Sequence, residues 1–198
     1  MHISEGVLSG PVLITGIILA AAGTGIGLKK LDFDRIDQAG ILSASFFVAS
    51  LVHVPLGPSN VHLIMNGMVG LLLGWSAFPA ILVALTLQAI LFQYGGITTL
   101  GVNTVIMALP AVVGHYTFRG IVRVNPKAFL PAAFITGALA VLLAGGLAAL
   151  ALISASENFL EAAILLATAH LPVMIIEGII TAFCVGFLKK VQSGVIPV

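Results

Sequence analysis

The chain has 198 residues, 60% of them hydrophobic and 8% charged, with 22 glycines, a formal net charge of +1 and a mean hydropathy of +1.20. These values exclude a soluble enzyme and fit a polytopic helical membrane protein; a charge of +1 is no argument for nucleic acid, and no nucleic-acid partner is expected. At roughly 20 residues per crossing there is room for six or seven spans and no extramembrane domain, so residues 1–198 read as one transmembrane domain.

Met1-His2 opens the chain. The first lysine is Lys29, so the first apolar run lacks the basic start of a cleaved signal peptide and is expected to stay. Met1 is expected to remain too, because methionine removal generally requires a small second residue. The Met1 α-amine, the deprotonated amide nitrogen of His2 and His2 Nδ1 can close two adjacent chelate rings, filling three corners of a square plane. Nitrogen donors in that geometry suit Ni(II), Cu(II) or low-spin Co(II) rather than Zn(II) or Mg(II). Residues 1–10 are therefore a candidate metal-chelating segment; the alternative is a chance histidine in a frayed terminus.

Seven helices are predicted in chain order. The first runs from about Pro11, a favourable first helical residue, to about Leu28 and stops at Lys29-Lys30. The second runs from about Ala39 to Val54, ahead of Pro55-Leu56-Gly57-Pro58, and the third from near Ser59-Asn60, a good cap pair, to near Trp75. The fourth extends from about Phe78 to Gly95-Gly96, and the fifth from about Gly101 to Phe118 around Pro110. The sixth covers Phe129 to Ile153, and the seventh covers Leu160 to Leu188 around Pro172. Cys184, the single cysteine, falls in this last apolar stretch and reads as packing.

Charge placement orients these helices. Lys29, Lys30 and Arg35 follow the first helix, Arg119, Arg123 and Lys127 the fifth, and Lys189 and Lys190 the seventh. Cytoplasmic loops carry the Lys and Arg excess, so the expected fold is an all-α integral membrane protein of seven transmembrane helices. Its N-terminus lies outside and its C-terminus in the cytoplasm, with all eight basic residues on the cytoplasmic side. A third helix of roughly 15 residues spans about 22 Å at 1.5 Å per residue, against a hydrocarbon core of roughly 30 Å. Its start, carrying His62, is expected to be recessed below the outer surface. There His62 either supplies a fourth nitrogen to the square plane or is a polar cap residue in a loop.

His53 and His170 are expected near the same face, either orienting ligands or bonding between helices, whereas His115 falls toward the inner end. Glu177 lies within a span, where an acid costs about 2.5–3.5 kcal/mol on insertion scales, and it has no evident basic partner. It is assigned a packing or conformational role.

Four segments then carry a resemblance: Met1-His2-Ile3-Ser4-Glu5-Gly6, Gly57-Pro58-Ser59-Asn60-Val61-His62-Leu63, Gly95 to Asn103 (GGITTLGVN), and His170 to Gly178 (HLPVMIIEG). In this order and over nearly the whole chain, they resemble the CbiM and NikM family, the substrate-binding (S) membrane subunits of energy-coupling factor transporters for cobalt and nickel. The resemblance implies a square-planar nitrogen site made by Met1, His2 and His62, with Ni(II) or Co(II) as transported substrate and no organic cofactor. It also implies a prokaryotic inner-membrane location, a transmembrane coupling (T) subunit and two cytoplasmic ATPase subunits as partners, and leaves open a small auxiliary membrane subunit. The chain departs from the family pattern at Val61, where many relatives carry glycine, and at His53, where many carry asparagine.

Gly23, Gly25 and Gly27 precede Lys29, but no Gly-Lys-Ser/Thr follows, so there is no nucleotide loop and the chain itself reads as a non-enzyme. Gly16 with Ala20, and Gly23 with Gly27, give the first helix a flat face, either for packing within the subunit or for docking. The alternative to metal capture is a stand-alone metal channel or proton-coupled secondary carrier, which should show a polar intramembrane pathway.

Overall fold

A computed structural model describes residues 2–56 and 59–196. Among the described residues the protein is all-helical apart from one short hairpin. Helices α1 (Gly10–Lys29) and α2 (Ile36–Ala49) are followed by strands β1 (His53–Leu56) and β2 (Ser59–His62). Then come α3 (Asn66–Leu73), α4 (Ala77–Phe92), α5 (Leu100–Val124), α6 (Phe129–Ala155) and α7 (Leu160–Val191). Among the described residues, α1, α5, α6, α7 and the stretch Asn66–Phe92 are long and apolar enough to cross a membrane.

The stretch Asn66–Phe92 is nevertheless two helices that run in opposite senses. A 3₁₀ turn at Gly74–Ser76 separates them, and Gly74 sits at φ +57, where a β-carbon is disfavoured. A Cβ on Gly74 would also stand 3.2 Å from the His115 ring. Down α3, Asn66 Nδ2 donates to Met107 O at 3.1 Å, Gly70 abuts Ala111 and Gly74 abuts His115, so α3 runs in the same sense as α5. In α4, Gln88 meets His2 ahead of α1, while Lys30 at the far end of α1 lies over the Trp75 ring. Thus α4 is antiparallel to α1. It runs beside α2 in the same sense, with Ser43 Oγ donating to Ala80 O and Gln88 Nε2 donating to Ser50 Oγ.

At the other side of the bundle, α6 returns antiparallel to α5. The Phe118 and Phe129 rings meet edge to face, and Thr136 lies against Gly114. Helix α7 reverses again, bringing Lys189 over the Phe129 ring at one end and Glu177 and Thr181 against Gly137 at mid-height. The small stripe of α1 packs inward: Gly16 against Val102, Gly23 against Phe78 and Gly27 against Trp75 and Pro79. Of the two uses expected for that stripe, packing within the subunit is the one seen. Its opposite side, with Ile14, Ile17, Ile18 and Leu19 at least half exposed, is suited to lipid.

Three boundaries differ from the expectation. Helix α5 runs on to Val124 rather than stopping at Phe118, while α2 stops at Ala49 rather than Val54 and α3 begins at Asn66 rather than near Ser59. Between them β1 and β2 pair antiparallel, with His53 opposite His62 and Val54 opposite Val61. Past Ala49 the Leu51 and Val52 N–H groups turn back onto Val48 O and Ala49 O, and Pro55, which has no N–H and disfavours helix at Val54, keeps the following residues extended. Their backbone groups pair across the hairpin instead of extending α3. His62 therefore sits on a strand, not on a first helical turn. Non-helical backbone at membrane depth is tolerated when protein surrounds it, and His62 is buried.

Candidate metal centre

The N-terminal segment, the hairpin and the loop from Gln93 to Thr99 meet at the end of the bundle opposite Lys30, Arg119 and Lys189. Two reciprocal bonds lock Ile3 to α5: its N–H donates to Asn103 Oδ1 at 3.0 Å, and Asn103 Nδ2 donates back to Ile3 O at 3.1 Å. Asn103 also reaches Thr99 Oγ1. The Glu5 N–H donates to Gly95 O at 3.2 Å, and Glu5 Oε1 accepts from the Thr98 N–H at 3.1 Å. Gly96 has φ +144, and a Cβ there would collide with the Glu5 side chain. These contacts fold residues 2–5 inward and leave His2 facing the hairpin.

His2 and His62, expected as ligands, are brought together. Their rings stack with centroids 5.1 Å apart and an interplanar angle of 28°. With metal–nitrogen bonds of about 2 Å, each ring centroid lies about 3 Å from a bound ion, so this spacing is within reach of one shared ion. The Tyr94 ring lies 6.0 Å from His2. Nδ1 of His62 is 2.9 Å from the Leu63 carbonyl, which can only accept. In the neutral ring that places the proton on Nδ1 and the lone pair on Nε2. A metal ligand requires an imidazole that is neutral at the donating nitrogen, and the Leu63 hydrogen bond leaves Nε2 as that nitrogen.

Met1, the third expected contributor, lies outside the described residues. Among the described residues, no group of three or more His, Cys, Asp or Glu side chains is arranged to hold a metal ion. His170 is buried beside this centre; its Nδ1 donates to Leu166 O at 2.6 Å, and among the described residues its Nε2 has no hydrogen-bond partner. The His53 backbone pairs with that of His62. His115 is at the opposite end, with Nδ1 donating to Leu71 O at 3.0 Å.

Glu177 finds its partners in the main chain. Its Oε1 accepts from the N–H groups of Ile64 and of Met65, the latter at 2.9 Å. Those amides lie between His62 and the first turn of α3, where Met65 adopts φ +57, so the acid holds the strand-to-helix switch directly after His62. Sequence reasoning also passed over Gln88 and Ser50, which are buried and bonded to each other and, through Gln88, to His2. The available signal was a lone amide in an otherwise apolar helix.

Long apolar helices and an inward-folded terminus beside a buried histidine define a multi-pass membrane protein with a nitrogen-rich site at one end. Residues 2–195 match the family model CbiM, described as a cobalt uptake substrate-specific transmembrane region. A Haemophilus influenzae protein named for metal transport is 44% identical over 200 residues, covering 98% of this chain and 96% of the relative. The cobalt transport protein CbiM of Clostridium tetani is 30% identical, with 98% and 86% covered. A solved transition metal transporter superposes with a TM-score of 0.81 at 27% identity, covering 98% of this chain and 94% of that one. The chain belongs to the CbiM family, and is a membrane-embedded component of metal uptake.

Proposed function

We propose that this chain is the metal-capturing subunit of an uptake transporter, taking Ni(II) or Co(II) from outside the cell. The observation that carries the reading is the stacked His2–His62 pair at 5.1 Å, formed where Asn103 pins the N-terminal segment. Completed by the Met1 α-amine and the His2 amide nitrogen, this pair is a four-nitrogen set suited to a square-planar ion. The relatives' names point to the same two metals: CbiM of Clostridium tetani is named for cobalt, and a fused NikMN protein of Archaeoglobus fulgidus, 34% identical over 203 residues, for nickel.

The chain crosses the membrane seven times, with the N-terminus outside and the C-terminus in the cytoplasm. The alternating senses of α1 to α7 support this, as does the collection of basic groups at one end. Helices α2, α3 and α4 have 14, 8 and 16 residues, shorter than a full crossing; the hairpin completes the outer half of the α3 passage. Uphill transport requires a motor, and a transmembrane coupling subunit with two cytoplasmic ATPases supplies it, while this chain hydrolyses no ATP.

Reconstitution tests the assignment. Liposomes with this chain alone should show little or no concentrative Ni(II) or Co(II) uptake, and adding the coupling subunit and ATPases should create ATP-driven uptake. Sustained uptake by the isolated chain under a proton gradient would make it a secondary carrier instead.

A further inference from the structure

Gln88 and Ser50 are 0% and 2% exposed, and the hydrogen bonds that join them to His2 have a direction. The chain of bonds begins at the Phe47 carbonyl in the last turns of α2, where helical bonding runs out. A carbonyl can only accept, so the single hydroxyl proton of Ser50 points at Phe47 O, 2.7 Å away. The Ser50 oxygen is then the acceptor toward Gln88, so the group that approaches it at 2.6 Å must be the amide NH2. That turns Gln88 Oε1 toward His2. Because Oε1 also can only accept, His2 Nε2, at 2.7 Å, must be the donor. A neutral imidazole protonated on Nε2 carries its lone pair on Nδ1.

We infer that Ser50 and Gln88 are positioning residues that relay the polarity of the Phe47 carbonyl to His2, fixing its ring in the Nε2–H tautomer so that Nδ1 is presented as a metal donor before any metal arrives. The inference rests on the proposed chelate, in which Nδ1 is the ring atom close enough to the His2 amide to close a chelate ring. It adds a cause for that atom's availability. If the amide were reversed, NH2 would face Nε2, the proton would shift to Nδ1, and binding would have to displace it. The complementary arrangement at His62, with its proton held on Nδ1 by Leu63, leaves the two rings offering different nitrogens to the same space.

The test begins with the metal-free protein. Histidine-selective 15N NMR, with His2 resonances identified by their loss in His2→Ala, should show Nε2 protonated and Nδ1 unprotonated. In Ser50→Ala the amide loses its reference and the tautomers should mix, with Ni(II) affinity at about pH 8 falling about 10-fold, within the 10- to 100-fold range typical when a ligand's orienting partner is lost. Adding Gln88→Glu to Ser50→Ala should restore both tautomer and affinity to within about threefold of the parent, because a carboxylate presents an acceptor whichever way it turns.

Three outcomes would each overturn the inference: an Nδ1–H tautomer in the parent, an unchanged tautomer and affinity in Ser50→Ala, or a double variant no tighter than Ser50→Ala. Tight Ni(II) binding by His2→Ala would instead remove the chelate reading and leave the tautomer result standing.

Discussion

The two rings of the candidate centre reach it by different routes, and substitutions should separate them from the remaining histidines. His2→Ala and His62→Ala should each weaken Ni(II) or Co(II) binding by at least about 100-fold, at or beyond the upper end of what loss of an orienting partner costs. His115→Ala, at the opposite end of the bundle, should leave binding unchanged. Calorimetry on purified, untagged protein reads all three, and near-parental affinity in His62→Ala would remove the fourth ligand. Acidity should weaken the site in a predictable direction. An α-amine with a pKa of about 7.7–8.0 must shed its proton to bind. Because binding releases protons, affinity should drop roughly 100-fold or more from about pH 8 to pH 6. A flat profile in the same titration would point to carboxylate ligands.

The hairpin and its junction with α3 are where element-scale stability and the site meet. His62 lies on β2, Met65 takes a left-handed conformation, and Glu177 on α7 receives both amides between them. Glu177→Ala would orphan those two buried N–H groups, at about 1–3 kcal/mol each. The expected result is a clearly lower melting temperature in detergent together with weaker metal binding, because His62 loses its anchored neighbour. Glu177→Gln keeps an acceptor and should fall between parent and alanine in both measurements. If Glu177→Ala melts and binds like the parent, the acid does not hold the junction.

For the whole molecule, the arrangement of ends is the testable property. The N-terminal segment, the hairpin and the 156–159 turn share one end; Lys30, Arg119, Lys127 and Lys189 share the other. With Cys184→Ala as background, Asn158→Cys should react with a membrane-impermeant maleimide on intact cells, and Lys127→Cys should react only after the cells are opened. The reverse pattern would invert the proposed orientation and move metal capture to the cytoplasmic face.

Much of this protein was determined by local chemistry that the sequence displays directly. Apolar runs interrupted by Gly, Pro and basic pairs placed the long helices α1, α5, α6 and α7 to within a few residues, except that α5 continues beyond Phe118 to Val124. His2 and His62 were legible as candidate nitrogen donors from residue type and position, and the structure brings their rings together. The ends of α2 and α3 were not legible. Residues 59–62 form a strand by pairing with 53–56, and the junction that follows is held by Glu177, more than a hundred residues away, accepting from the Ile64 and Met65 amides. The partners of Glu177, Asn103 and Gln88 were hidden for the same reason. A buried polar group must be hydrogen-bonded, but which main-chain or side-chain atom satisfies it is decided only when the helices pack. Packing likewise turned Gly74 into a chain reversal and directed the small stripe of α1 inward, because both depend on which neighbour occupies the space beside a missing Cβ.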